Sequence, residues 1–387
     1  MDNKVYIVKC LDYNDVENKL LELIEMMGGI ELFAAKGEKI ALKVNLLKSA
    51  KPDSAITTHP SIVSAIAKIL NKINVESLII DSPGAGYKYN EKMLHKTYRE
   101  TGMLEAAKES GSKLNFDCSF RTVSYPEGRL VKRFEVISPI LDSDGVFNLC
   151  KMKTHLFMRM TGAVKNNFGV IPGLTKPGYH AKLHDTSHFA NMLLDLAQYV
   201  APRLNIMDAV VGMEGDGPNS GTPKKVGLLI ASNNQLALDV VAGEIMGLSR
   251  RNNPVLLAAE QRGLRPIYIK DVKIIGESLS GIKILDYKLP TNIFEGTGMG
   301  PLPLVLNILK FLFKDAFSAK PVINKKACIA CKACYEACPV KAISVDEQLK
   351  AAFIDEKKCI RCYCCHEMCP EDAVDLKYGL LHKLLNS

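Results

Sequence analysis

The chain has 387 residues, 47% of them hydrophobic and 24% charged, a balance that excludes a disordered or collagen-like polypeptide. That length exceeds one compact core and predicts two or three domains. The net charge of +8 is scattered among acids, and residues 321–378 balance nine basic against nine acidic side chains. With no arginine-rich tract and no aromatic–basic interleaving, nucleic acid is a poor partner, and a local positive site for a small anion fits better.

In chain order, residues 5–10 read as a strand and 16–27 as an amphipathic helix ending at Gly28 and Gly29. Residues 40–46 form a strand, 60–70 a helix with Pro60 in its first turn, and 78–81 a strand stopped by Ser82-Pro83-Gly84-Ala85-Gly86. An irregular stretch over 87–143 precedes a buried-type strand at 145–150. A helix over 185–199, capped by Asp185, Thr186 or Ser187, is followed by strands at 204–210 and 226–231 and a helix at 236–246 ended by Gly247. Residues 254–285 complete the unit. The alternation predicts an α/β domain, a mainly parallel sheet with flanking helices, over 1–290. A Gly- and Pro-rich boundary opens a linker over 291–320. Within it, 302–313 reads as an amphipathic helix, too short and too interrupted by Lys310 to span a bilayer. A small module over 321–378 and a tail over 379–387 follow.

Open α/β sheets bind ligands beyond the carboxyl ends of their strands. Four such ends carry polar groups here: Lys43 and Asn45; Asp81 and Ser82; Lys151, Lys153 and His155; and Glu214 with Asp216. An extended Lys151–His155 segment puts three cationic or proton-carrying groups on one face at period two, suited to an oxyanion. Downstream, Lys165 and Asn166 lie in Thr161-Gly162-Ala-Val-Lys165-Asn166-Asn167-Phe-Gly169, a candidate short helix whose amides would aim at the same anion. The bland alternative is two lysines reaching solvent from an edge strand.

Weaker signals surround this set. Gly84-Ala85-Gly86 lacks the third glycine of a dinucleotide loop and reads as a turn. Glu214 and Asp216 serve equally well as turn formers on a Gly-rich loop. His180, His184 and His188 fit a metal face only on one continuous helix, which Pro177-Gly178 and the Asp185 cap argue against. Cys10 and Cys118 read as small buried hydrophobes, and so does Cys150, although it adjoins the cationic segment.

Eight of the twelve cysteines fall in two equal runs, Cys328-Ile-Ala-Cys331-Lys-Ala-Cys334-Tyr-Glu-Ala-Cys338-Pro339 and Cys359-Ile-Arg-Cys362-Tyr-Cys-Cys365-His-Glu-Met-Cys369-Pro370. Each is C-x2-C-x2-C-x3-C-P, the spacing that holds two [4Fe–4S] cubanes, the fourth cysteine of each run ligating the other cluster. One cubane therefore takes Cys328, Cys331, Cys334 and Cys369, the second Cys359, Cys362, Cys365 and Cys338. Cys364 is a bystander. Metal binding supplies folding energy to a module of about sixty residues with little apolar core. Thiolate ligation, and no signal-peptide pattern ahead of residue 5, predict a reducing, cytoplasmic setting.

The module is similar to bacterial 2[4Fe–4S] ferredoxins, a small α+β ferredoxin-like dicluster domain. The run Asn148–Gly169, with Thr58-His59-Pro60, Asp81-Ser82-Pro83 and Met213-Glu214-Gly215-Asp216-Gly217-Pro218, resembles the domain of unknown function 362 family, often fused to such a ferredoxin. The resemblance implies the architecture and no substrate. The leading expectation is an iron–sulfur oxidoreductase passing low-potential electrons to or from an anionic substrate or cofactor. Lys151, Lys153, His155 and Lys165 would bind and polarise it, with His155 as proton donor. Asp81 and Glu214 would orient it, and Lys43, Asn45, Ser82 and Asn166 would complete the pocket. A flavin would couple one-electron clusters to two-electron chemistry, though no motif marks one. The alternatives are a non-enzymatic electron carrier whose large domain docks a redox partner protein, and a ligand sensor.

Overall fold

The computed structural model describes residues 2–291 and 319–378; the expected helix over 302–313 and the tail over 379–387 lie outside them. The first eleven strands are β1 (Lys4–Lys9), β2 (Lys39–Lys43), β3 (Glu76–Ile80), β4 (Lys113–Leu114), β5 (Phe120–Ser124), β6 (Arg133–Ile137), β7 (Gly145–His155), β8 (Arg159–Met160), β9 (Leu204–Glu214), β10 (Thr222–Ser232) and β11 (Lys273–Gly276). Nine of them form one sheet in the order β11-β1-β10-β9-β7-β2-β3-β4, with β8 paired to β7, while β5 and β6 make a separate hairpin. Only β10 runs against its neighbours along that order. The sheet is mainly parallel with flanking helices, as the alternation predicts.

Period-two alternation splits the core between the two faces. Val5 and Ile7 of β1 and Leu228 and Ile230 of β10 pack with the helix Gln235–Ile245. Tyr6, Val8, Leu229 and Ala231 join the larger core on the other face. Cys150 is fully buried in the smaller core, and burial pushes its thiol pKa well up, so the cationic segment does not activate it.

Strands β7 and β9 outrun their expected ends. Lys151, Lys153 and His155 stay in the strand because each is buried against polar groups. Lys151 pairs with Asp208 at 2.7 Å, and Lys153 donates to the Ile56 carbonyl at 2.6 Å. A break in the β7–β9 register between Lys151 and Lys153 interrupts the regular ladder at this level.

The C-terminal module pairs β12 (Lys320–Ile323) with β15 (Val374–Lys377) and β13 (Ile343–Asp346) with β14 (Ala351–Ile354), and carries short helices Ala333–Ala337 and Cys364–Met368. It seats on the carboxyl ends of the parallel strands. Ala337, Cys364 and Met368 pack with Ala85 and Tyr87 from the loop after β3. A Cβ at Gly86 (φ +85°) would lie 2.6 Å from the Ala337 Cα, so only glycine fits this close approach. Asn219 donates to Asp372 at 2.7 Å and Tyr378 to Asp216 at 2.9 Å, which fastens the module to the loop after β9.

Candidate functional site

The strand order turns at β2, whose neighbours β3 and β7 come later in the chain, and a pocket opens beyond these ends. Lys43 and Asp81, both buried, are 2.7 Å apart, and Asp81 also accepts from the Leu46 amide at 2.7 Å. Gly169 covers this pair so closely that a Cβ there would meet the Asp81 Oδ1 at 2.0 Å. Asn45 donates to Asn166 at 2.8 Å and Asn166 to Asn148 at 2.7 Å, an amide relay that fixes the pocket floor.

The expected helix after Thr161 runs Gly162–Asn166, but its amides do not face an anion. Asp239 accepts from Ala163 at 2.6 Å and Val164 at 3.1 Å and so occupies that helix end. Burial raises the Asp239 carboxyl to about 7 against these hydrogen bonds.

What the helix does deliver is Lys165, which lines the pocket with Ser82, Thr161, Lys176, His180 and Glu367. The pocket envelope, including its open mouth, is ≈ 440 Å³. Among the described residues Lys165 has no hydrogen-bond or ion-pair partner, while Lys176 gives two of its three donors to the carbonyls of Ser82 and Pro83. Ser82 Oγ, Thr161 Oγ1, His180 Nδ1 and Glu367 Oε1 are buried with no hydrogen-bond partner there. Burial pushes Lys176 down to about 7 and His180 down to about 3. Burial also raises Glu367, against the pull of Lys165, His366, Lys153 and Lys176.

His155 stands behind Glu367 rather than in the pocket wall. Its Nδ1 accepts from the amides of Phe157 (3.1 Å) and Met158 (3.3 Å), so the neutral ring carries its proton on Nε2. That nitrogen lies 3.3 Å from Glu367 Oε1 but is misaligned for a hydrogen bond. Burial, then the charges of Lys165 and Lys153, hold its pKa well below the usual histidine range.

Asn45, Asp81, Ser82, Lys165 and Asn166 thus share one pocket, with Lys43, Lys153 and His155 directly behind it. Lys151 and Glu214 do not join them. Lys151 is locked to Asp208 and Tyr13, and Glu214 accepts from the Lys288 amide at 3.0 Å and faces Lys224 at 3.7 Å. The three histidines are split by a break at Leu183–Asp185. His180 sits on the helix Lys176–Lys182, and exposed His188 pairs with Asp185 on the next helix. No group of three or more His, Cys, Asp or Glu among the described residues is gathered for a single metal ion. The reading of the strand ends missed Lys176, His180 and Glu367 as pocket residues, and gave Thr161 no role beyond opening the helix segment. Lys176 is reachable only through the chain's return after Gly173, and Glu367 hides inside the second cysteine run.

The cysteines assemble crosswise. Cys328, Cys331, Cys334 and Cys369 line one cavity whose envelope, open mouth included, is ≈ 350 Å³. Cys334 is raised to about 11 by burial, then by Cys331, Cys369 and Cys328. Cys359 is raised by burial, then by Cys362 and Cys338, and Cys365 by burial with Cys362, Cys359, Cys334 and Cys338. Non-glycine residues at positive φ recur 31 positions apart, at Ala330 and Arg361, Lys332 and Tyr363, Lys341 and Asp372. Such backbone costs about 1–3 kcal/mol per residue and persists only where something over-determines it, as binding of a cluster by the cysteines of each loop would. The Sγ atoms of Cys338 and Cys369 accept amide bonds from Ala342 and Ala373, both at 3.1 Å, again 31 residues apart. The four-cysteine cavity, the crossed neighbours and the duplicated loop backbone all fit two [4Fe–4S] clusters.

Fold and site together define an α/β domain carrying an iron–sulfur module on its strand ends. The chain belongs to the domain of unknown function family DUF362, whose model matches residues 40–244, and a 4Fe-4S dicluster domain matches 327–373. The 4Fe-4S module makes it an iron–sulfur electron-transfer protein. The thylakoid-associated protein sll1697 of Synechocystis sp. is 33% identical over 250 residues, 64% of this chain and 75% of that protein. The lactate racemase apoprotein of Thermoanaerobacterium thermosaccharolyticum matches with a TM-score of 0.40 and 12% identity, covering 64% of this chain and 58% of that one. Among the described residues no helix is long and apolar enough to cross a membrane.

Proposed function

We propose that this protein is an oxidoreductase of a reducing, cytoplasmic compartment that moves electrons between a redox partner protein and a small anionic ligand held at the strand ends. Cys328, Cys331, Cys334 and Cys369 hold one [4Fe–4S] cluster, and Cys359, Cys362, Cys365 and Cys338 the other. When bound, each cluster supplies or accepts one electron at a time. The observation that carries this reading is Glu367. It lies between Cys365 and Cys369 in the chain, and its carboxyl lines the same pocket as Lys165 and Lys176.

In that pocket Lys165 and Lys176 hold the anion, Ser82 and Thr161 offer hydroxyl donors, and the Asn45–Asn166 relay fixes the floor. Lys43 and Asp81 neutralise each other and hold the loop that carries Ser82. Lys153 adds positive potential from behind, and His155 keeps a proton on the nitrogen facing Glu367. A flavin has no part in this reading.

Anaerobically reduced holoprotein, mixed with a panel of 2-oxo acids, enoates and inorganic oxyanions, tests it by the return of visible cluster absorbance. One class of anion is expected to reoxidise the clusters, at a rate at least about tenfold lower in Lys165→Met or Lys176→Met. Reoxidation by protein acceptors alone, unchanged in both variants, would leave a non-enzymatic carrier.

A further inference from the structure

We infer that the pocket takes a small oxyanion carrying two negative charges, a dicarboxylate or a tetrahedral oxyanion, clamped between Lys165 and Lys176 with Thr161, Ser82 and His180 around it. The inference rests on this pocket being the ligand site, and it narrows the ligand by counting charge. Around the pocket stand Lys43, Lys153, Lys165 and Lys176, with Asp81 and Glu367 as the carboxylates. Lys43 and Asp81 form a closed pair at 2.7 Å. Of the others, Lys165 and Lys176 line the pocket and Lys153 stands behind it, and none of the three has a carboxylate within ion-pair distance among the described residues. Two lining ammonium groups, those of Lys165 and Lys176, are thus left for a ligand to meet.

An uncompensated buried charge is costly, and such groups are neutralised by a partner or give up their proton. Burial pushes Lys153, Lys165 and Lys176 all down, Lys176 to about 7, although Lys165 keeps some exposure to solvent. A dianion closes the balance; a monoanion leaves one lysine uncompensated. The other lining groups agree. The hydroxyls of Ser82 and Thr161, both buried and unpartnered, can each donate to an acceptor oxygen. His180 Nδ1 is also unpartnered, and the ring stacks on Phe189 at 4.5 Å, so it can present Nδ1–H without moving. Several fixed donors converging on one small space match an acceptor-only anion better than a neutral ligand of mixed donors and acceptors.

The test is calorimetric titration of the intact, cluster-loaded protein with sulfate, oxalate, acetate and nitrate at constant ionic strength. Sulfate or oxalate is expected to bind at least about tenfold more tightly than either monoanion, and Lys165→Gln to remove most of that preference. Thr161→Val, a milder change, weakens the same anion several-fold and keeps the test alive if Lys165→Gln misfolds. Acetate or nitrate binding as tightly as the dianions, no binding by any of the four, or an unaltered preference in both variants would overturn the inference. Cluster reoxidation separates this outcome from the electron-transfer reading. Dianion binding that never alters the clusters sinks only the latter, whereas Lys165-dependent reoxidation by a monoanion, with no preference for dianions in binding, sinks only the former.

Discussion

The two cysteine runs share their spacing and their left-handed backbone positions, yet their surroundings differ. In the first run Ile329 is 59% exposed and Tyr335 50%, and Cys331 and Lys332 face solvent. In the second, every residue from Tyr363 to Cys369 is buried, and the Glu367-bearing helix lies over the pocket. The middle position of each x3 gap tells the same story. Glu336 reaches exposed Lys88 at 3.0 Å, while its counterpart Glu367, 31 residues on, reaches buried His155. A repeat fixes how clusters are held; the body it docks against decides what each half faces. One half is turned to solvent, the other to the strand ends.

The largest break in this comparison comes from the crossed ligands. Cys338→Ala, a change in the exposed run, is expected to abolish the cluster on the buried side, and Cys369→Ala the one on the exposed side. Each variant should lose about half of its iron and one of two paramagnetic signals on reduction; loss of the cluster nearest in sequence would refute the crossing. Next in size is Gly86→Val. Its side chain has no room against Ala337 and must adopt φ +85°, so the seat of the module opens. A stability loss of about 2 kcal/mol or more by chemical denaturation, with faster proteolysis between the two domains, is the expected result.

Much of this was legible in the sequence, for identifiable reasons. The strands 5–10, 40–46, 78–81, 204–210 and 226–231 announced themselves because both faces of their sheet are buried. The stretch over 87–143 stayed unread because β5 is exposed along most of its length and the helix Glu91–Glu100 buries only Leu94, Thr97 and Tyr98. At the strand ends, residue type predicted a cationic site, but pairing decided membership. Asp208, an acid inside a hydrophobic strand, withdraws Lys151, and nothing in the spacing of Lys151, Lys153 and His155 foretells it. Glu367 could not be read as a pocket residue at all, because its role depends on how the module docks.

Glu367→Gln sharpens the contrast between the halves. It removes the one carboxylate opposing three lysines, so sulfate should bind about tenfold more tightly by calorimetry, despite the loss of a polar side chain's charge. Unchanged or weaker binding would mean that the carboxylate does not oppose the anion. A related effect is expected with pH. Lys176 faces Asp81, Lys43, Lys165, His180 and Glu367, and its pKa is lowered to about 7 without ligand. Anion binding favours its protonated form, so affinity is full below that pH and falls as pH rises through it, by up to about tenfold per unit. Lys176→Met should flatten that slope.

The smallest effect belongs to the exposed half, and it is the control for all the others. Glu336→Gln removes a bridge to Lys88 in which both side chains are exposed, 42% and 57%. Pairs of this kind contribute about 0–1 kcal/mol and are screened by salt. Thermal denaturation should therefore move by a degree or two at most, sulfate affinity should stay at the wild-type value, and the slope with pH should persist. If Glu336→Gln changed anion binding as much as Glu367→Gln does, the pocket would be responding to the overall charge of the module. The two halves of the repeat would then be electrostatically equivalent despite their different burial. A change confined to Glu367→Gln would instead assign the pocket to the second run alone, because only there is the carboxylate held away from screening water.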